Sequence, residues 1–183
     1  MNLLLYIFFI YLLLIFISPL RYIFILPSIP IYPDNEKEVL LVEKEIASRN
    51  QSDINFFELT DRSVSEAFTS IVPLSIEELD SLISQIHVVG IIIFFKYIIN
   101  RARPIQVKPK LNVLKSLTAS TPAYPAGHAF QAYYLAKVLG KKYPDLKVQL
   151  DSIAETCNSV RIKAGLHYPS DGLFSKQLVN FLY

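Results

Sequence analysis

The sequence predicts an all-α fold, a helical bundle behind one N-terminal transmembrane helix. Three observations lead there. Apolar residues recur at helical spacing, as in Leu150, Ile153, Ala154 and Cys157. Helix-start signals stand ahead of such segments, the clearest being Ser75 with Glu78. No apolar–polar alternation of the kind a strand needs persists anywhere along the chain. The composition removes other classes. With 52% hydrophobic and 19% charged residues, the chain is too apolar for a disordered segment. A net charge of +2 speaks against a nucleic-acid partner. A single cysteine, Cys157, excludes an intrachain disulfide and a cysteine-rich metal site, and the three histidines, His87, His128 and His167, are too few for a histidine-rich one. No metal and no cofactor is therefore expected.

The elements follow in order. Residues 1–33 carry one charged side chain, Arg21, and Leu3 to Leu20 are 18 consecutive uncharged residues. That run approaches the ~20 residues a helix needs to cross hydrocarbon. It lacks the basic n-region and small-x-small site of a cleaved signal peptide, so a retained single-pass membrane anchor is expected. Pro19, Pro27, Pro30 and Pro33 make Ser18 to Pro33 an exit linker. The boundary falls there: residues 1–33 are anchor and linker, and residues 34–183 form an independent, tethered helical domain. Asp34 or Asn35 caps a helix to about Arg49, with Val39, Val42 and Ile46 on one stripe. Ser52 and Asp53 open a short segment through Phe56 and Phe57. Thr60 or Asp61 starts another helix through Val64, Phe68 and Val72, ended by Pro73. The Ser75/Glu78 capping box opens a long helix to Arg103, where Pro104 disfavours continuation. Within it, Ile86 to Phe95 is a second candidate span, but His87 and Lys96 favour a buried bundle helix. Ile105 to Tyr124 reads as a long loop, of the kind that is often functional. Helices over Ala129–Lys142, Val148 to about Arg161, and Pro169–Tyr183 complete the chain.

Three clusters carry chemistry. Lys96 and Arg103 are seven residues apart, close to two helical turns, so on one continuous helix they share a face and offer an anion site. Pro125-Ala126-Gly127-His128 precedes a helix start, where free amides and a glycine admit a phosphate. Arg161, His167 and Asp171 close the set. Pro169 suits a first helical turn, so Asp171 can fold back onto one nitrogen of His167 and leave the other as nucleophile or base. Arg161 offers a planar fork suited to phosphate oxygens. Each cluster alone has an ordinary structural explanation: snorkelling cations, a loop-to-helix junction, a capped helix. Nine fixed positions in one order do not arise by chance at about one in twenty per position.

The arrangement Lys96-x6-Arg103-Pro104, Pro125-x-Gly127-His128 and Arg161-x5-His167-x3-Asp171 resembles the tripartite signature of the type-2 phosphatidic acid phosphatase superfamily. That superfamily includes lipid phosphate phosphatases, bacterial acid phosphatases and vanadium haloperoxidases. The resemblance spans Lys96 to Asp171, 76 of 183 residues. Two positions depart from it: the family usually has serine where Ala126 and Val160 stand. The resemblance implies a helical bundle of the acid phosphatase/haloperoxidase type and a metal-independent phosphomonoester hydrolase acting on lipid phosphates or small phosphate esters. It implies that Lys96, Arg103, Gly127 and Arg161 bind phosphate. His167 would attack phosphorus to give a phosphohistidine, oriented by Asp171, and His128 would protonate the leaving group. A vanadate-dependent haloperoxidase and a non-catalytic membrane protein with a degenerate pocket are the alternatives.

Overall fold

The computed structural model describes residues 3–17 and 20–183. It is helical, with no strand among the described residues. Helix α1 covers Leu3–Ile17, an unbroken apolar run whose described side chains, Leu3, Phe8 and Leu13 among them, are exposed. The expected span runs on to Leu20, but Ser18 and Pro19 lie outside the described residues. Fifteen residues rise about 22 Å, less than the ~30 Å hydrocarbon layer. No single helix among the described residues is long and apolar enough to cross a membrane.

The expected exit linker packs against the helical body. Tyr22 and Ile29 donate backbone hydrogen bonds to the carbonyls of Asn100 and Ile99. The Tyr22 hydroxyl reaches Ser120 O at 2.6 Å. Ser28 is fully buried.

Helix α2 (Asn35–Ser48) starts at the Asp34 cap, as its sequence signal indicates. Helix α3 (Gln51–Asp61) is capped by Asn50, paired reciprocally with Asp53. Asp61, expected as a helix start, instead ends this helix. Only a short 3-10 turn, Val64–Ala67, follows. The long helix expected from Ser75 to Arg103 is broken. Helix α4 (Ile76–Ile83) and α5 (Ile86–Ile99) meet at a 51° bend around Ser84 and Gln85. Together, though not singly, this bent pair has the length and composition of a span.

Helix α5 stops at Asn100, a left-handed residue with φ 49°. Asparagine tolerates that conformation. Here its carboxamide also donates to the carbonyls of Ile23, Leu26 and Pro27 in the packed linker. Arg103 therefore does not share a helical face with Lys96; it is the N-cap of a short helix, α6 (Pro104–Val107).

Helix α7 (Gly127–Lys142) runs through the middle, against α8 (Lys147–Lys163), α9 (Pro169–Leu182), α4 and α5. Its small inward residues Ala129, Ala132 and Ala136 are buried, which lets neighbouring helices approach closely. Phe68, Leu79, Phe130, Leu135 and Leu150 are fully buried in this core. Two smaller clusters lie beside it. Val39, Val42, Ile162 and Tyr168 join α2 to α8 and to the residue that precedes α9. Phe57, Val160, Ala164 and Leu166 support the turn that carries His167.

Candidate active site

A cavity of about 170 Å³ is lined by Lys96, Arg103, Gly127, His128, Arg161 and His167, six of the seven expected site residues. They arrive from different elements. Lys96 comes from the last turn of α5, Arg103 from the start of α6, Gly127 and His128 from the first turn of α7 and Arg161 from the end of α8. His167 sits two residues before α9. The broken α5 changes how Lys96 and Arg103 meet, not whether they meet. A left-handed Asn100 and an extended Arg103 (φ −77°, ψ 158°) turn the chain back onto the cavity.

His167 is almost fully buried, and its orientation follows from its partners. Nδ1 lies 3.1 Å from Asp171 Oδ2. An ionised carboxylate only accepts, so Nδ1 carries the proton and Nε2 keeps its lone pair. Nε2 is 3.4 Å from Arg103 Nη1. Asp171, in the first turn of α9, also accepts the Tyr168 amide at 2.8 Å on the same oxygen. The turn that presents His167 needs Gly165. Its φ of +79° is left-handed, and an added Cβ would stand 3.0 Å from Val113 and 3.1 Å from Ile46.

Lys96, Arg103 and Arg161 face one another here, and burial with the Arg103 charge holds the Lys96 ammonium well below its ordinary range. Lys96 donates to Pro122 O, Arg103 Nε to Thr121 O at 2.8 Å and Arg103 Nη1 to Leu166 O at 2.9 Å. Backbone carbonyls thus orient two of them without cancelling their charge. Burial, with Arg161 nearby, lowers the Arg103 guanidinium to about 10, still charged at neutral pH. Burial likewise holds Arg161 below its ordinary range. Such a cluster favours an anion strongly.

Arg161 has one carboxylate partner that the sequence did not reveal. Asp61 Oδ1 accepts from its Nη1 at 2.6 Å. Burial works against the Asp61 charge, but bonds from Ser116, the Leu117 amide and Arg161 outweigh it and hold the carboxyl below its usual range. The Arg161 Nε has no hydrogen-bond partner among the described residues.

His128 Nε2 lies 2.9 Å from the carbonyl of the same Asp61, so that nitrogen carries a hydrogen. Burial and the Arg161 charge push His128 down to about 3. Burial, then the charges of Arg103, Lys96 and Arg161, hold His167 well below its ordinary value. Both imidazoles are neutral in the empty site. Asp171 is pushed up to about 6 by burial, against the opposing pull of Arg101 and its hydrogen bonds.

The two departures from the signature sit outside the cavity lining. Ala126 is fully buried; its amide donates to Asp171 O and its carbonyl accepts from Ser175. Val160 belongs to the core beside Phe57. Sequence reasoning missed Asp61, the polar wall of Thr118, Thr121 and Gln131, and the apolar wall of Val89, Ile92 and Ile93. The helical pattern of α5 was the available signal for the apolar wall. Among the described residues, no three His, Cys, Asp or Glu side chains are grouped to hold a metal ion. No known family model matches this chain, and no curated protein does.

Proposed function

We propose that this protein is a phosphomonoester hydrolase that works through a phosphohistidine on His167. The observation that carries the reading is the meeting of a buried, carboxylate-oriented imidazole with Lys96, Arg103 and Arg161 around one small cavity. A neutral imidazole with a free lone pair is a nucleophile, and three fixed cations stabilise the charge that develops on equatorial phosphoryl oxygens. The Gly127 amide, first in α7, adds a donor at the positive end of that helix.

In the first step Nε2 of His167 bonds to phosphorus and the ester P–O bond breaks. The leaving alkoxide takes a proton from His128. That histidine is neutral in the empty site, and an incoming phosphate dianion supplies the negative charge that favours its protonated form. In the second step His128 takes a proton from water, whose oxygen attacks phosphorus. The P–N bond breaks, and inorganic phosphate leaves. No step calls for a metal. Residues 1–33, with the uncharged run from Leu3 to Leu20, hold the enzyme at a membrane in this reading. Lipid phosphates and small phosphate esters both suit the chemistry.

The test is turnover of a panel of phosphate monoesters by the full chain, with and without chelator and vanadate. Metal-insensitive hydrolysis, competitive vanadate inhibition and acid-labile phosphate on His167 are expected. No hydrolysis across the panel, or label on another residue, overturns the proposal.

A further inference from the structure

Asp171 is gripped from two sides. Oδ2 faces His167 and the Tyr168 amide, while Oδ1 accepts from Arg101 Nη1 at 2.6 Å. Arg101 is two residues from Arg103, but its side chain is fully buried and does not line the cavity. A guanidinium has five N–H bonds. All five of these have acceptors. Nε bonds Asn35 Oδ1 at 2.9 Å, and Nη1 bonds Ser170 Oγ at 2.7 Å beside Asp171. Nη2 bonds Glu38 Oε2 at 2.7 Å and Pro33 O at 3.4 Å. The Tyr168 and Tyr32 rings flank the guanidinium carbon, with centroids 3.8 and 4.4 Å away. No donor is left for a phosphoryl oxygen.

We infer that Arg101 is a positioning residue for the histidine nucleophile. It fixes Asp171 from the side away from the reaction and ties that carboxylate through Glu38 to α2. The inference rests on the phosphohistidine reading above. Glu38 completes the bridge by accepting the Ser170 amide at 3.1 Å and the Ser170 hydroxyl, so the first turn of α9 is fastened to α2. The row runs Glu38, Arg101, Asp171, His167, with charges alternating up to the neutral imidazole. A lysine at position 101 keeps the charge but loses the planar fork and most of the partners.

The groups that act on Asp171 are Lys96 of α5, Arg101 and Arg103 of the following segment, Tyr124 ahead of α7, and His167 and Tyr168 ahead of α9, while Glu38 of α2 reaches it only through Arg101. Among the charged groups of the described residues, Arg101 alone bonds the carboxylate without lining the cavity. Without it, burial acts with less opposition and the acid takes a proton closer to neutral pH. A protonated Asp171 no longer anchors the Nδ1 hydrogen of His167.

The experiment compares the full chain in detergent with Arg101→Gln and Arg101→Lys. Hydrolysis of p-nitrophenyl phosphate is followed against pH, and the Asp171 carboxyl carbon is titrated by NMR. In Arg101→Gln the acid limb of kcat should move up by about one pH unit, a roughly tenfold loss at fixed acidic pH, with KM unchanged. The Asp171 midpoint should rise alongside it, and Arg101→Lys should fall between. An unmoved limb and an unmoved midpoint in a folded variant overturn the inference. If the wild-type chain hydrolyses no ester, the phosphatase reading fails by itself. The NMR midpoint then still decides whether Arg101 sets the state of Asp171. Failure of both variants to fold makes Arg101 a structural residue only, and that also overturns it.

Discussion

Asp61 Oδ1 stands 2.6 Å from Arg161 Nη1, a pair joined across 100 residues of sequence. A bound phosphate has to share Arg161 with this carboxylate. The pair therefore sets both the affinity of the cavity for anions and the stability of a buried cation. Asp61→Asn is expected to tighten vanadate inhibition several-fold, because Arg161, which lines the cavity, loses the negative charge paired with it. Breaking a buried pair while its cation stays costs about 3 kcal/mol, which a denaturant titration reads. Weaker vanadate inhibition in a folded variant would show that Asp61 arranges the site and does not compete with the ligand.

His167→Ala should abolish hydrolysis while leaving vanadate binding, since Lys96, Arg103 and Arg161 keep their backbone and carboxylate partners. Calorimetric binding and a turnover assay on the same preparation separate the two. Residual activity near the wild-type rate in this variant would falsify the nucleophile assignment.

Acid should weaken the folded state in a defined window. In an unfolded chain His128 and His167 take protons below about 6.5, whereas the folded protein keeps both neutral, His128 down to about 3. Their folded values are depressed, so the stability they contribute is full above 6.5 and is lost as pH falls. Asp171 works the other way. Raised to about 6 from 3.8, it takes its proton in the folded state first and offsets one of the two histidines. Two depressed histidines outweigh one raised carboxyl, so unfolding takes up protons as pH falls below 6.5. Each net proton corresponds to a loss of about 1.4 kcal/mol per pH unit, measurable as a falling urea midpoint. In His128→Asn the slope should become shallower. An unchanged slope there would mean that other groups govern acid stability.

Much of this fold is legible in the sequence wherever the signal is local. Ser75 with Glu78, Asp34 and Pro169 each start the helix that their chemistry indicates. The failures share a cause, a long-range partner that overrides a local preference. Asp61 looks like a helix cap, but its carboxylate is drawn to Arg161, so α3 ends where a helix was expected to begin. Asn100 ends α5 early because three carbonyls from the packed linker await its carboxamide. Pro104 carries the stronger local stop signal, and that drew the expected helix end four residues too far. The cavity residues were recoverable because motif spacing encodes them. Arg101 was not, since no motif position marks it and its carboxylate partners Glu38 and Asp171 lie 63 and 70 residues away.

Ala126 begins α7 with no side-chain cap. Ala126→Ser should supply one and raise stability by about 1 kcal/mol, with kcat/KM little changed because position 126 does not line the cavity. Thermal unfolding and steady-state kinetics check the two halves. A large loss of activity in a folded variant would show that this buried site cannot hold the hydroxyl.

The packed linker alters where the helical body can be cut. A fragment beginning at Asp34 loses the Tyr32 ring beside Arg101, the Pro33 carbonyl and all three acceptors of Asn100. It should melt at a lower temperature and hydrolyse more slowly than one beginning at Leu20. Equal melting temperatures and equal rates for the two fragments would return the boundary to Pro33.

The bridge from Glu38 through Arg101 to Asp171 also bears on biosynthesis. Arg101 meets Glu38 across 63 residues and Asp171 across 70, and Ser170 meets Glu38 across 132. Contacts so distant in sequence close late and slowly. As the chain leaves the ribosome, α2 and the Arg101 segment emerge before α9. For that interval Arg101 lacks the Asp171 and Ser170 it later bonds, and the cavity lacks His167. The apolar surfaces that await α9 are then open to wrong contacts, the period in which a chaperone has most to do. The cavity closes only when His167 and α9 have joined the elements that precede them.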